Sequence, residues 1–405
     1  MSNLKSFKMK LFFLFILSMM VNACGGGGGS SDDERGGVNP PPVSGNINGG
    51  LTGRIFMNNG WIIDIPTGRS KRIPGVYWDD YCYEYNPTED PGHDFLCTTS
   101  NPEIERNSYT SYYGTPNLTD EEYLLTVSTC KYGRGTIPDS DCLEIRNIET
   151  GALIGNRLVR DEIINFGAKY SRDGQYYAFT HNDIHAYSNT SFVINNKNHE
   201  KITSITMQKK DSMPFDWGPS GEIVLTYDGA IYLTPPYSLD GVNIFDLTDR
   251  PELTSPAPDS GQDPVVGIAG NLRISPDGSK IAFRLNEGDQ SLHSASNTPW
   301  IMNIDGTDLH RLAHTPESGS FNNLFGPLAW SPDGEYILIT EGYHVTGTNV
   351  SGGSDFLYAI PSDSRDIELN KEGNDGIILI RTNYKVDNQE VLDIFYGGSG
   401  FWWLP

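Results

Sequence analysis

A short turn motif recurs through this chain and constrains its fold more than any other feature. Residues 331–334 read Ser-Pro-Asp-Gly, after the stretch Leu-Ala-Trp and shortly before the run Tyr-Ile-Leu-Ile. Ser, Pro and Gly stand where a type I turn favours them, and the flanking runs are short and rich in strand-forming residues. The motif therefore predicts a strand, a tight turn and a second strand.

Related turns occur elsewhere in the chain, at a spacing of about 40 to 60 residues. That period is typical of the four-stranded blades of a β-propeller. The spacing and the lack of any convincing 3.6-residue apolar period indicate an all-β repeat protein. The turns lie at residues 275–278, 171–174 and 218–221, with a degenerate copy at 119–122.

Each repeat also has a second half, an apolar strand that runs into a turn containing Gly. Residues 300–306 show it with an Asp-Gly turn, and residues 143–151 and 357–361 match it. The combination of Trp-Ser-Pro-Asp-Gly with this second half resembles the TolB-type propeller repeat, closely over residues 328–340 and 272–312. The resemblance covers most of residues 118–370. It implies that the motif residues are structural, so it supplies no functional residue.

The two ends of the propeller domain, predicted to span residues 51–405, complement each other. Residues 53–74 contain the second half of a repeat without a first half, and the last thirty residues contain strands without a complete repeat. Pairing between them would close the ring and remove exposed strand edges. The length favours seven blades, with six as the alternative.

The N-terminus reads as a targeting segment. Lys5, Lys8 and Lys10 precede an apolar stretch too short to span a membrane stably, which ends in Val-Asn-Ala-Cys at 21–24. This resembles a bacterial lipoprotein signal peptide over residues 1–23, which implies that Cys24 is diacylated. The alternative is an ordinary signal peptide with a cysteine nearby.

Residues 24–50 are rich in Gly, Ser and Pro, as in a flexible tether. The glycine after Cys24 resembles the signal for the outer rather than the inner membrane. Loss of residues 1–23 would remove three lysines and no acidic residue, and so change the formal charge from −23 to −26. Such a charge argues against nucleic acid and anionic lipid head groups as partners.

Four cysteines remain after Cys24, and an exported protein meets an oxidising compartment. Neighbours in sequence are the preferred pairs, Cys82 with Cys97 and Cys130 with Cys142. Each disulfide would close a short loop and contribute about 3 kcal/mol in the chain-entropy model. A zinc site is the alternative, although the spacing lacks the paired C-x₂-C pattern of such sites.

Candidate catalytic groups are few. The sequence contains no Gly-x-Ser-x-Gly elbow and no glycine-rich phosphate loop. His181 and His185 could hold a metal if the residues between them form a turn. Propeller-type uronate lyases use histidines and a metal, so a metal-assisted lyase or hydrolase is the enzyme alternative. Otherwise these are ordinary loop histidines, and no cofactor is predicted.

The sequence thus favours a monomeric, non-enzymatic scaffold, lipid-anchored in the outer membrane and facing the periplasm or the outside. Its partner would be another envelope protein or a cell-surface glycan, and a carbohydrate-binding module is a further alternative. Trp217 and Trp330 are expected to pack between blades. The central channel is expected to be the only large concavity, lined by ordinary polar residues without metal-ligand geometry.

Overall fold

The computed structural model describes most of the chain beyond the predicted tether, and its regular structure is almost entirely β-strand. Its blades are antiparallel sheets in which most strands pair with the next strand along the chain. The described residues are 45–57, 61–73, 113–119, 121–127, 142–159, 163–182, 190–207, 214–255, 265–287, 296–314, 321–345, 356–369, 376–386, 389–394 and 400–405.

The first four blades take up the N-terminal half of the described chain. Blade 1 begins with β1 (Arg54–Met57), β2 (Trp61–Asp64) and β3 (Ser70–Arg72). Blade 2 consists of β4 (Tyr113–Pro116), β5 (Glu122–Val127), β6 (Cys142–Asn147) and β7 (Leu153–Val159). Blade 3 consists of β8 (Ile163–Tyr170), β9 (Tyr176–Asn182), β10 (Thr190–Asn196) and β11 (Lys201–Met207). Blade 4 consists of β12 (Phe215–Trp217), β13 (Ile223–Tyr227), β14 (Ala230–Leu233) and β15 (Val242–Asp246).

A 3₁₀ turn (Leu247–Asp249) and the short helix α1 (Pro251–Thr254) lead from blade 4 to blade 5. Blade 5 consists of β16 (Val265–Ile274), β17 (Lys280–Glu287), β18 (Ser296–Asn303) and β19 (His310–Arg311), and β20 (Ala313–His314) follows. Blade 6 contains β21 (Phe321–Trp330), β22 (Tyr336–Val345), β23 (Phe356–Pro361) and β25 (Ile378–Leu379), with β24 (Ile367–Glu368) pairing with β20. The chain ends with the hairpin β26 (Arg381–Val386) and β27 (Gln389–Ile394), and with β28 (Phe401–Leu404).

The last strand completes the first blade. β28 pairs antiparallel with β1, with Arg54 opposite Leu404 and Met57 opposite Phe401. Gly53, at a φ of +92°, leads into β1 and leaves no room for a Cβ against the carbonyl of Leu404. The predicted pairing of the two chain ends is confirmed.

The ring has six blades among the described residues. The preferred prediction of seven blades is therefore wrong, and the alternative of six blades is confirmed. The N-terminal half-repeat and the C-terminal strand combine into a single blade, and the connections within blades are longer than the usual repeat of about 40 to 45 residues allows.

The apolar core confirms that the ring is closed. In the part of the chain that the structure describes, it divides into six clusters, one between each pair of neighbouring blades. The cluster between blades 6 and 1 joins Leu338 and Leu357 to Ile55 and Phe401. No described helix has the length and apolar character needed to cross a membrane.

The turn motif has the structure that its sequence predicts. Ser331 Oγ donates to Asp333 Oδ1 (2.5 Å) and accepts the backbone N–H of Tyr336 (2.9 Å). Asp333 also accepts the N–H of Glu335 (3.0 Å), and Gly334 has a φ of +78°. The same bonds recur at the turns of blades 3 and 5. Local side-chain hydrogen bonds therefore fix the reversal between the two innermost strands.

Asp277 offers a test of this turn. Hydrogen bonds from the hydroxyl of Ser275 and from Ser279 lower the pKa of Asp277 to about 2. Its carboxylate therefore stabilises the fold above pH 4, and this stabilisation is lost as the pH falls from about 4 toward 2. We expect Asp277→Asn to lower the free energy of unfolding by about 1 kcal/mol at pH 7, allowing for solvent screening, and by less at pH 3. Urea denaturation at both pH values measures this, with the exposed Asp240→Asn as the control, and an equal loss at both would contradict it.

Candidate functional site

One position of the repeat supplies a ring of side chains to the central channel. In blades 2 to 6 it is the next-to-last residue of the innermost strand, and in blade 1 it is the second residue of β28, opposite Phe56 of β1. All six members line one cavity near the turns of the repeats. From blade 1 to blade 6 they are Trp402, Thr115, Lys169, Asp216, Arg273 and Ala329.

The cavity is small and has aromatic walls. Its volume is about 50 Å³, and the indoles of Trp217, Trp330 and Trp403 border it together with Trp402. Trp217 Nε1 donates to the carbonyl of Lys169 (3.0 Å), and Trp330 Nε1 donates to that of Arg273 (3.0 Å). Each motif tryptophan thus bonds the preceding blade, which confirms the predicted packing between blades and holds the ring in position.

A single carboxylate lies between two of the cations. Asp216 Oδ1 is 3.8 Å from Lys169 Nζ and 3.9 Å from Arg273 Nη1. The other oxygen of Asp216 accepts the N–H of Ile274 (2.9 Å), and Lys169 also donates to the carbonyl of Phe215. Asp216 therefore bridges blades 3, 4 and 5, and its charge is shared between two partners.

Within the described ranges, a third cation is held by two backbone carbonyls. Arg172 donates from Nε to the carbonyl of Trp217 (3.2 Å) and from Nη2 to that of Ile274 (2.6 Å).

Arg273 Nη1 donates to the carbonyl of Leu272 (3.1 Å), and its guanidinium lies 5.5 Å from the ring centroid of Trp402. Its Nε is buried and has no hydrogen-bond partner among the described residues.

The cavity is electropositive in a strongly acidic protein. Lys169, Arg172 and Arg273 surround it with one acid, Asp216, whereas the whole chain has a formal charge of −23. The pKa of Lys169 is lowered from 10.5 to about 7, mainly by burial and then by Arg273, against the opposing effect of Asp216. Burial also lowers the pKa of Arg273. Placing these cations together is costly in free energy unless something compensates them.

The channel cavity is lined by charged residues, so the expectation of ordinary polar residues in the channel is wrong. A signal was present, because a charged residue precedes Tyr170, Trp217 and Ile274 in strands that are otherwise apolar near the turn. Alignment of the repeats on their turns would have brought these charges together.

A second described cavity, of about 300 Å³, is larger than the channel cavity, so the expectation that the channel is the only large concavity is wrong. It lies between blades 2 and 3 and is lined in part by Glu122, Asn156, Lys197 and His199. His199 has a φ of +66°, and its ring bonds the hydroxyl of Tyr177 (2.6 Å) and the carbonyl of Asn156 (2.7 Å). This histidine therefore links the two blades.

The predicted histidine site is only partly within the described residues. His181 lies on β9, where it is buried and its ring packs 6.0 Å from that of Phe179, and it does not line the channel cavity. His185 lies outside the described residues. Within the ranges that the structure describes, no cluster of three or more His, Cys, Asp or Glu side chains could hold a metal ion.

The predicted cysteine sites are also largely outside the described ranges. Cys142 begins β6 and is fully buried. Cys24, Cys82, Cys97 and Cys130 lie outside the described residues. Lipidation at Cys24 and the two disulfide pairs stay predictions.

Comparison with known proteins gives weak similarities. No protein-family model and no curated protein matches the chain. Among solved structures, a protein assigned as TolB from Agrobacterium tumefaciens is 13% identical, with a TM-score of 0.40 over 73% of this chain and 92% of that one. The propeller domain of the Trilobed protease from Pyrococcus furiosus is 12% identical, with a TM-score of 0.38 over 72% of this chain and 78% of that one.

An acylaminoacyl peptidase from Pyrococcus horikoshii is 11% identical, with a TM-score of 0.39 over 82% of this chain and 45% of that one. This chain thus spans less than half of that enzyme. The fold is a six-bladed propeller. The strand pairing and the inter-blade clusters of this chain show the fold, whereas similarities of this size carry no argument about function.

Proposed function

We propose that this protein is a lipid-anchored binding protein of the bacterial envelope, whose propeller recognises its partner at the channel cavity. Acylated Cys24 would attach it to the outer membrane, and the segment from residue 24 would let the propeller move relative to the membrane. The proposed partner is another envelope protein. Binding of a cell-surface glycan in its place would contradict this part of the proposal.

The observation that carries the proposal is the convergence of Lys169, Arg172 and Arg273 on one cavity. Six inter-blade clusters and the closing strand hold the surrounding backbone in place. The walls of a cavity on a rigid frame are already ordered before a ligand binds, so the entropic cost of binding is low. These features support a binding role for the channel.

The described segment that precedes β1 is well fixed. Asn48 is completely buried, and its side chain donates to the carbonyls of Ile65 (2.6 Å) and Arg381 (3.1 Å). Its oxygen accepts the N–H of Arg381 (2.8 Å). Residues 45–50, which the sequence analysis assigns to the tether, therefore belong to the folded propeller.

The binding role is tested by capture from solubilised bacterial envelopes. The acylated wild-type protein is compared with Arg273→Met and with the control Lys71→Met, whose lysine lies on the outer strand of blade 1 beside Glu149 (2.6 Å). We expect a protein partner that the wild type and the control capture and that Arg273→Met does not. Equal capture by all three, or retention of glycan alone, would contradict the proposal.

The anchor is tested by substitution of the acylation site. We expect Cys24→Ser to remain unprocessed or to appear in the soluble fraction, because the thiol that would carry the lipid is gone. Fractionation and mass spectrometry of the N-terminus measure this. Processed, membrane-bound protein from the Cys24→Ser variant would exclude the lipoprotein assignment.

A further inference from the structure

We propose that the channel cavity is a binding site for a single oxyanion group, a carboxylate or a tetrahedral phosphate or sulfate, held between Lys169 and Arg273. The inference deepens the proposed function, because it names the chemical group that the same cavity would recognise on a partner.

The first argument is charge. Among the described residues, three cationic side chains line the cavity and Asp216 is the one acid that opposes them. Arg172 is committed to two backbone carbonyls, which leaves Lys169 and Arg273 to share the one carboxylate at 3.8 and 3.9 Å. These distances are longer than those of a close, hydrogen-bonded ion pair, which are about 2.7–2.9 Å. An incoming anion would therefore compensate charge that Asp216 compensates only in part.

The second argument is donor capacity. A lysine ammonium has three N–H donors and a guanidinium has five. Lys169 makes one hydrogen bond, to Phe215, and Arg273 makes one, to Leu272, among the described residues. Arg273 Nε is buried without a partner in that same set. A buried donor left in this state destabilises a fold, and an oxyanion is the acceptor that two adjacent cations favour.

The third argument is size and access. A volume of about 50 Å³ holds a few water-sized groups, since one water needs about 10–15 Å³. The cavity thus fits a carboxylate or a phosphate group but not a complete sugar ring. The side chains of Lys169, Asp216 and Arg273 are 14%, 12% and 7% exposed, so they are mostly buried but keep some contact with solvent.

Proton uptake should accompany binding. Without an anion the pKa of Lys169 is about 7, set by burial and by Arg273 and Arg172, against the opposing effect of Asp216. An anion beside the ammonium favours its charged form and raises this pKa. Affinity should therefore be higher at pH 6 than at pH 8, where the empty site must first bind a proton.

Calorimetric titration of the full-length protein with sodium acetate and with sodium sulfate tests the site, with sodium chloride at matched ionic strength as the reference. Neither probe changes its charge between pH 6 and pH 8, so a pH dependence belongs to the protein. We expect saturable binding of at least one probe, weaker at pH 8. Stronger binding of acetate identifies a carboxylate as the ligand group, and stronger binding of sulfate identifies a tetrahedral group.

Two substitutions should act in opposite directions. Lys169→Met should abolish saturable binding and its pH dependence, whereas Asp216→Asn, which keeps an acceptor for the N–H of Ile274, should strengthen binding on the order of tenfold. Lys71→Met and Asp240→Asn change the net charge equally without touching the cavity and should have no effect. Thermal unfolding identifies any variant that fails to fold, and Asp216→Asn then still decides the question.

Absence of saturable binding for both probes, or equal effects in the control variants, would overturn the inference. Failure of the proposed function can be distinguished from failure of the oxyanion site. If the ions bind as expected but envelope capture is unaffected by Arg273→Met, the oxyanion site stands and the partner does not use it.

Discussion

Deletion of residues 401–405 is expected to prevent the propeller from folding stably at 37 °C. β28 is the innermost strand of blade 1, and without it β1 loses a partner along four residue pairs. The deletion also removes Phe401, Trp403 and Leu404, which are almost completely buried. Loss of one large buried aromatic side chain costs about 3–5 kcal/mol, and two are lost here. That approaches or exceeds the whole stability of an ordinary domain, about 5–15 kcal/mol.

The deletion would also expose the edge of β1 and so favour aggregation. Differential scanning calorimetry and size-exclusion chromatography measure both effects. Deletion of the exposed Pro405 alone is the control and should change the melting temperature little. The melting temperature of Trp403→Phe should lie between those of the two deletions. This substitution keeps most of the packing but loses the indole hydrogen bond to the carbonyl of Thr52 (2.8 Å). A normal melting temperature after the five-residue deletion would show that the ring does not close through β28.

The second large effect is expected at Asn48. Asn48→Leu removes the partners of the carbonyl of Ile65 and of both backbone groups of Arg381, in a buried setting. Each unsatisfied buried group costs about 1–3 kcal/mol, so the free energy of unfolding should fall by more than about 3 kcal/mol. The melting temperature should fall by roughly 5–10 °C.

Asn243→Leu is the matched control, because Asn243 is exposed and its side chain donates one long hydrogen bond, to Asp246 (3.4 Å). It should change stability by less than about 0.5 kcal/mol. Equal effects at the two positions would mean that residues 45–50 are not part of the folded propeller.

The propeller fold could be predicted because its signals are local. Ser, Pro, Asp and Gly at 331–334 determine a turn through bonds within a few residues, and the flanking strands follow from short apolar runs. Pairing of β28 with β1 was also predictable, since incomplete repeats at the two ends need each other. Both predictions depend on sequence patterns that can be recognised without knowledge of any long-range contact.

The blade number and the charge of the channel were harder to predict. Blade number depends on the lengths of irregular connections, which carry no periodic signal. The channel charge arises from Lys169, Asp216 and Arg273, which are about 50 residues apart in sequence and meet only because the ring brings equivalent strand positions together. The pKa of Lys169 follows from that assembly and from burial, neither of which a single repeat reveals.

A crystal structure of the protein soaked in sodium acetate, and in parallel in sodium sulfate, tests the proposed recognition of an oxyanion most directly. We predict an ion in the channel cavity, within hydrogen-bond distance of Lys169 Nζ and of the guanidinium of Arg273. Ordered water alone at that position, with the three cationic side chains unchanged and the ions bound elsewhere or not at all, would contradict it.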